Sequence, residues 1–341
     1  MNHGAARSSR AVVLVLGLGL LLGWRGFSGP PLQLFKFQRP AMGTLFVIQL
    51  YATNGAAADL AADAAFARIA ELEDVMSDYQ ADSELMRLCD QPAGKPVRVS
   101  TDLFRVLAVS QKFAKASDGA FDVTVGPFVR LWRFSRKRKT LPSQEELARA
   151  RAGVGWRKLR LDGNHRTVTL TVPGMRLDLG GIGKGYAADA ALKALTDRGC
   201  PRAMVAGSGD IAIGEPPPGK KGWRVAISGL PNSAKLTEKF LLLQHAGVST
   251  SGDAEQFVEI GGVRYSHIVN PKTGLGVTES VQDTVIGPNA TTTDALDTTL
   301  NVLGVKRGIK LADSLPGVAA LMLDKKTGAI TESRRWNRLS R

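Results

Sequence analysis

The sequence predicts an α+β sandwich, a single compact unit of antiparallel sheets with flanking helices. Three observations carry that expectation. Strand-like segments pair at hairpin spacing, as at 158–161 and 167–172 around the turn signal Asp162-Gly163-Asn164. Helical stretches interrupt the strands without the regular alternation of a βαβ series. No internal repeat or low-complexity linker divides the chain, and 341 residues are enough to bury a substantial core.

The elements follow from local pattern. Pro30, Pro31 and Pro40 mark an extended approach, and 43–51 (GTLFVIQLY) reads as a strand. The Ala-rich stretch 56–76 sets Leu60, Ala64, Ile69, Leu72 and Val75 at roughly helical spacing. A second helix covers 101–116 and stops at Ser117-Asp118-Gly119. The stretch 135–147 reads as a loop re-entering a helix, with Ser143 and Glu146 as a capping box. After the hairpin, 175–179 reads as a strand that runs into a Gly-rich turn and a helix at 186–196. Strands are expected at 203–206, 223–228, 240–245, 256–260, 264–268 and 281–286, helices at 293–303 and 305–315, and a late strand at 318–323. The organisation read from this is a targeting segment at 1–29, one domain over 38–325 and a basic tail at 326–341.

Hydrophobic residues make up 44% and charged residues 22%, the balance of a soluble globular protein. The net charge of +14 gathers in clusters, Arg136-Lys137-Arg138-Lys139 and Arg334, Arg335, Arg338, Arg341. Such runs are usually solvated loops or tails, and no nucleic-acid-binding motif accompanies them, so no nucleic-acid partner is expected. Cys89 and Cys200 are too far apart in sequence for a CxxC site, and sequence leaves open whether they pair.

The N-terminus reads as an export signal. Arg7 and Arg10 precede an apolar run at 11–22, which is short for a membrane-spanning helix. The segment is either cleaved near Ser28-Gly29 or kept as an inner-membrane anchor; no Cys follows it for a lipoprotein anchor. The positive-inside rule puts the remainder outside the cytoplasm, which makes the expected location periplasmic.

Four stretches carry candidate chemistry. Asp178-Leu179-Gly180-Gly181-Ile182-Gly183-Lys184-Gly185 sets four glycines between a strand and a helix. Backbone amides in such a turn can approach phosphate, with Lys184 adding charge, although the order is neither a Walker A nor a dinucleotide fingerprint. A tight packing turn is the plainer alternative. On a helix, Asp294, Asp297 and Thr298 share one face and offer hard oxygen ligands suited to Mg²⁺. The alternative is that these aspartates only cap a first helical turn. His267, before an Asn270-Pro271 turn, could shuttle a proton or be a structural histidine. In Gly119-Ala120-Phe121-Asp122, Phe121 could flank a flat ring and Asp122 accept from ring or ribose donors; otherwise this is a loop with one buried aromatic.

Taken together these stretches resemble the ApbE family, the FAD:protein FMN transferases. The markers run in the family's order: Ala41-Met42-Gly43-Thr44, Ser77-Asp78-Tyr79 with Ser83-Glu84-Leu85, Gly119 to Asp122, Asp178 to Gly185, Gly207-Ser208-Gly209-Asp210, Gly222-Trp223, Thr250-Ser251-Gly252-Asp253, Ser266-His267-Ile268, and Asp294-Ala295-Leu296-Asp297-Thr298. Asn270 stands where the family often has Asp, and Ser208 where a second Gly is usual.

The resemblance implies a T-fold-like, ApbE-type sandwich. It implies that Met42, Tyr79, Ala120, Phe121, Asp122, Asp178, Lys184 and Ile268 line an FAD site. A Mg²⁺ would be held by the carbonyl of Gly181 with Asp294, Asp297 and Thr298, and His267 and Asp253 would assist catalysis. The implied reaction moves FMN from FAD to a Ser or Thr hydroxyl of an exported or membrane-bound redox subunit, releasing AMP. The alternatives are an FAD pyrophosphatase and a non-catalytic flavin-binding accessory protein.

Overall fold

The computed structural model describes residues 31–227, 240–252 and 257–339. In chain order the elements begin with β1 (Gln33–Ala41), β2 (Thr44–Ala52), α1 (Gly55–Met76), α2 (Glu84–Cys89), β3 (Val97–Arg98), α3 (Thr101–Ala116), α4 (Gly126–Arg138) and α5 (Gln144–Ala152). Next come β4 (Leu159–Asp162), β5 (Thr167–Leu170), α6 (Gly183–Asp197), β6 (Ala203–Gly207), β7 (Asp210–Ile213), β8 (Trp223–Ala226), β9 (Phe240–Leu243) and β10 (Ala246–Gly252). The chain closes with β11 (Phe257–Ile260), β12 (Val263–Ser266), β13 (Val281–Gly287), α7 (Ala290–Ser314), β14 (Ala319–Asp324), β15 (Ile330–Glu332) and α8 (Trp336–Leu339).

The main sheet has eight strands in the order β1-β2-β6-β7-β10-β13-β14-β15, every neighbouring pair antiparallel. Its strands alternate in burial, and the two faces are covered differently. In β2, Phe46, Ile48 and Leu50 join a core with α1 and α6, whereas Tyr51 points to the other side. On that first face α1 packs over β1 and β2, α6 over β6 and β7, and α7 over β10 and β13. On the opposite face the β8–β9 hairpin lays Trp223, Val225, Leu241 and Leu243 against Val248, Ile286 and Leu321. This is the expected α+β sandwich, with helices on one side of the sheet and a small hairpin on the other.

Four expectations change. The extended approach before residue 43 is a full strand, β1, tied to β2 by a two-residue turn in which Met42 and Gly43 take left-handed φ of 50° and 71°. That is the geometry of the tightest hairpins, and Gly43 is the residue that adopts it without strain. Pro40 does not break the strand because β1 is an edge strand.

A helix, α4, occupies 126–138, where no helix was expected before Ser143. Gly126-Pro127 looks like a stop, but proline is at home in a first helical turn, where its missing N–H costs nothing. Phe128, Trp132 and Ser135 then bury one face at helical spacing. Trp132 packs edge-on against Tyr265 at 5.4 Å and donates its indole N–H to the carbonyl of Ser266. The capping box of Ser143 and Glu146 opens the following helix as the sequence indicates.

The stretch 175–179 is not a strand. It has a single bridge, Arg176 to Val125, and the amides of Asp178 and Leu177 go to the Val123 carbonyl and the Cys89 thiol, so among the described residues no neighbouring strand continues a ladder. Of the supposed tail, 326–341, the described residues 326–339 return to the fold. β15 pairs with β14, and Trp336 is 2% exposed in the core beneath the sheet. The basic side chains there are ordinary surface residues around one aromatic anchor; Arg334, for example, pairs with Asp313.

Cys89 and Cys200 are free and buried. No helix among the described residues is long and apolar enough to cross a membrane, and the export segment lies outside the described residues.

Replacing Trp336 by Ala should lower stability by about 3–5 kcal/mol, the usual cost of emptying a buried tryptophan site. Urea unfolding followed by circular dichroism checks this, and a loss under about 1 kcal/mol would restore the solvated-tail reading.

Candidate functional site

The Gly-rich turn and the helix after it are organised by a neighbouring helix. α6 begins at Gly183 without a side-chain cap of its own. Its Gly185 N–H donates instead to Asp294 Oδ2 of α7 at 2.8 Å. The favour is returned by Asp189 of α6, whose carboxylate accepts the N–H groups of Ala290 and Thr291 and the hydroxyl of Thr291 at the start of α7. Each helix thus caps the other's positive end. α7 carries its own Asn289 cap as well, and Asp294 lies beyond its first turn. The reading of Asp294 as a local first-turn cap is therefore replaced by a cross-helix one.

Glycine makes this approach possible. A Cβ on Gly185 would stand 2.2 Å from the Ala290 carbonyl oxygen, and one on Gly181 would stand 2.7 Å from Thr298 Oγ1. Most of the amides of the turn are committed within the protein. The N–H groups of Gly180, Ile182, Gly183 and Gly185 already have protein acceptors: Asp178, the Leu179 carbonyl for two of them, and Asp294. Its glycines serve close packing.

A buried carboxylate cluster lies behind the turn. Asp294 is 2% exposed and Asp297 6%. Asp283 of β13 contacts Asp297 and accepts from the Asn301 amide at 3.1 Å, one helical turn further along α7. Asp210 at the start of β7 pairs with the Lys184 ammonium at 2.7 Å, and Asp294 Oδ1 stands 3.7 Å from the same nitrogen. Burial, with the Asp210 charge beside it, pushes the Asp294 carboxyl up to about 8. Burial and Asp283 raise Asp297 well above the usual carboxylate range. Burial alone would lower Lys184, but Asp294 and Asp210 outweigh it and hold the ammonium charged.

Such a cluster asks for a cation. Asp297 Oδ1 is buried without a hydrogen-bond partner among the described residues. A buried oxygen left in that state is costly unless something binds it. Asp294, Asp297, the Thr298 hydroxyl and the Gly181 carbonyl are hard oxygen donors that fit Mg²⁺. Among the described residues no three His, Cys, Asp or Glu side chains gather as a metal-binding group, and this donor set requires only two carboxylates.

In front of the turn opens a cleft of about 620 Å³, within the range of small-molecule sites. Met42, Tyr79, Ala120, Phe121, Asp122, Asp178, Lys184, Ile268, Gly181, Thr298 and His267 all line it. Met42 arrives on the left-handed hairpin turn, and His267 and Ile268 follow β12. Asp294 and Asp297 lie behind this wall. Asp253 lies outside the described residues.

Two side chains play parts other than those expected. Asp122 accepts from the Thr124 N–H and hydroxyl through one oxygen and from the Trp156 N–H through the other, so it organises its loop from within the cleft wall. Phe121 is 3% exposed and meets Phe113 edge-on, which makes it as much core as lining. Both departures from the family pattern have physical readings. Ser208 adopts a φ of 59°, a conformation glycine takes more readily, and Asn270 accepts from the Lys272 N–H as an aspartate would.

Arg133 was not foreseen. From α4 it pairs with Asp78 at 2.5 Å and Asp178 at 3.4 Å, and its guanidinium lies 4.2 Å from the ring centre of Tyr79, itself 79% exposed. The missed helix hid it. Asp210 and Asp283 were also missed as site residues. The available signal for Asp283 was a charge at the inward position between Val281 and Val285 on one strand.

The ApbE family model matches residues 42–322. The chain is 32% identical to the FAD:protein FMN transferase of Vibrio cholerae over 288 residues, covering 83% of this chain and 86% of that one. It is 34% identical to the protein of the same name from Haemophilus influenzae over 266 residues, covering 76% and 77%. Among solved structures, the flavin transferase ApbE of Vibrio cholerae superposes with a TM-score of 0.81 at 30% identity, covering 91% of this chain and all of that one. The apo flavinyl transferase ApbE of Pseudomonas stutzeri gives 0.80 at 29%, covering 91% and 97%.

Substituting Gly185 by Ala should separate α6 from α7 and cost about 1–3 kcal/mol, in the range of overpacked sites. Thermal unfolding of the variant checks this; a change within about 0.5 kcal/mol would mean that the two helices are not in the contact described.

Proposed function

Since the chain belongs to the ApbE family, we propose that it is an FAD:protein FMN transferase, moving the FMN half of FAD onto a hydroxyl of an acceptor protein. The observation that carries this reading is the meeting of a nucleotide-sized cleft with a buried hard-oxygen cluster and one lysine at the same Gly-rich turn.

The acceptor's Ser or Thr oxygen attacks the FMN-side phosphorus of the pyrophosphate. The bond from that phosphorus to the bridging oxygen breaks, and AMP leaves with the oxygen. Asp294, Asp297, Thr298 and the Gly181 carbonyl would hold Mg²⁺, which when bound neutralises pyrophosphate charge and favours in-line displacement. Lys184 faces the cleft and offers its ammonium to the phosphates. His267, which also lines the cleft, is the group proposed to take the hydroxyl proton, with Asp253 a second helper. Met42, Tyr79, Ala120, Phe121, Ile268 and Asp178 form the remaining wall, and the Arg133 bridge from Asp78 to Asp178 stiffens it. The acceptor is proposed to be an exported or membrane-bound redox subunit, a reading supported by the basic and apolar N-terminal stretch, which has the pattern of an export signal.

Incubation with FAD, Mg²⁺ and a candidate acceptor should add the mass of FMN to the acceptor, and the adduct should survive denaturation. Asp294→Ala or Thr298→Ala should slow labelling by more than about 100-fold at limiting Mg²⁺, beyond the 10–100-fold typical of residues one layer further out. FAD split to FMN and AMP with every candidate acceptor left unlabelled would favour a pyrophosphatase. Labelling unchanged in both variants would remove the metal assignment.

A further inference from the structure

Lys184 stands where two demands on one oxygen meet. Asp294 Oδ2 already accepts the Gly185 N–H at 2.8 Å, so Oδ1 is the freer of its two oxygens to serve a metal ion. The Lys184 ammonium lies 3.7 Å from that same Oδ1. It lies closer, at 2.7 Å, to Asp210 Oδ2. Asp210 sits on β7, is 5% exposed and is fixed by the pairing of β7 with β6 and β10. Lys184 is also the cation that acts on Asp297. A single ammonium therefore balances several buried carboxylates from one side, held there by a carboxylate that is not among the expected metal ligands.

We propose that Asp210 is a positioning residue that parks the Lys184 ammonium beside the ligand set, so that Lys184 is the counter-cation of Asp294 before a divalent cation binds and its competitor when one does. Buried carboxylates without a counter-charge are strongly destabilising, so a resident ammonium lets the site fold before metal arrives. A divalent cation at Oδ1 then repels the ammonium across a short, poorly screened distance. The Lys184 side chain is 27% exposed and lines the cleft, where the proposed function puts the phosphates of the substrate. Phosphate that draws the ammonium away should in turn favour the metal, because such coupling is reciprocal. The inference rests on the metal reading of the site given above.

The test is Mn²⁺ binding to the full-length protein without FAD, read by electron paramagnetic resonance. Lys184→Gln should bind Mn²⁺ about 10-fold more tightly than wild type, because the competitor is gone. Asp210→Asn should bind about 10-fold more weakly, because the untethered ammonium settles on Asp294, and Asp210→Glu should restore most of the loss. In the Lys184→Gln background, Asp210→Asn should change affinity less than 3-fold, which a general electrostatic or structural role of Asp210 would not produce. If Lys184→Gln folds only with divalent cation present, the dependence of its thermal midpoint on Mn²⁺ reads the same affinity and must exceed that of wild type. Unchanged or weakened binding in Lys184→Gln, or an equal Asp210→Asn effect in both backgrounds, would overturn the proposal while leaving the metal site standing. Failure of the wild type to bind Mn²⁺ would overturn both.

Discussion

The arrangement depends on two helices that cap one another. Asp189 of α6 satisfies the start of α7, and Asp294 of α7 satisfies the start of α6. Each carboxylate meets amide groups that would otherwise be unpaired, at the end of a helix where negative charge is favoured. The pair fixes spacing and rotation together, since a shift of one helix along the other would break both sets of bonds. Asp297 and Thr298 ride on α7, and Gly181 and Lys184 ride on or just before α6. The reciprocal caps thereby bring into one place groups more than a hundred residues apart in sequence.

From that frame the site is built outward. The sheet supplies the back of the cluster through Asp210 on β7 and Asp283 on β13, both buried. The left-handed turn between β1 and β2 brings Met42 to the cleft from one side, and β12 brings His267 and Ile268 from another. α4 closes the wall with Trp132 and Arg133. Large apolar surfaces hold these parts in place, and the chemistry-bearing side chains contribute charge where water is largely excluded.

Much of this was legible in the sequence, and the exceptions are instructive. Period-2 and helical patterns gave β2, α1, α3 and the split of α7 at Gly304, where a φ of 72° interrupts the helix. Short markers gave most of the cleft lining, because residues such as Met42 or Lys184 sit in distinctive local contexts. α4 was hidden because Gly126-Pro127 carries two meanings, a stop or a first turn, and only the packing of Phe128 and Trp132 selects between them. Arg133 went unseen with it. The role of Gly185 was obscured because the acceptor of its amide is Asp294, far away in sequence. Asp122 looked like a ligand group because its commitments to Thr124 and Trp156 arise only on folding.

The contact between Gly181 and Thr298 bears on which ions the site can tolerate. With room for no more than a hydrogen on the Gly181 α-carbon, the loop and the Thr298 side chain meet along one close-packed edge. A cage fixed along an edge cannot easily widen. A small ion with short, regular bonds would suit it, whereas Ca²⁺, with longer bonds and more ligands, would require an expansion that this edge resists. Discrimination by ionic radius would in that sense be written into a missing methyl group.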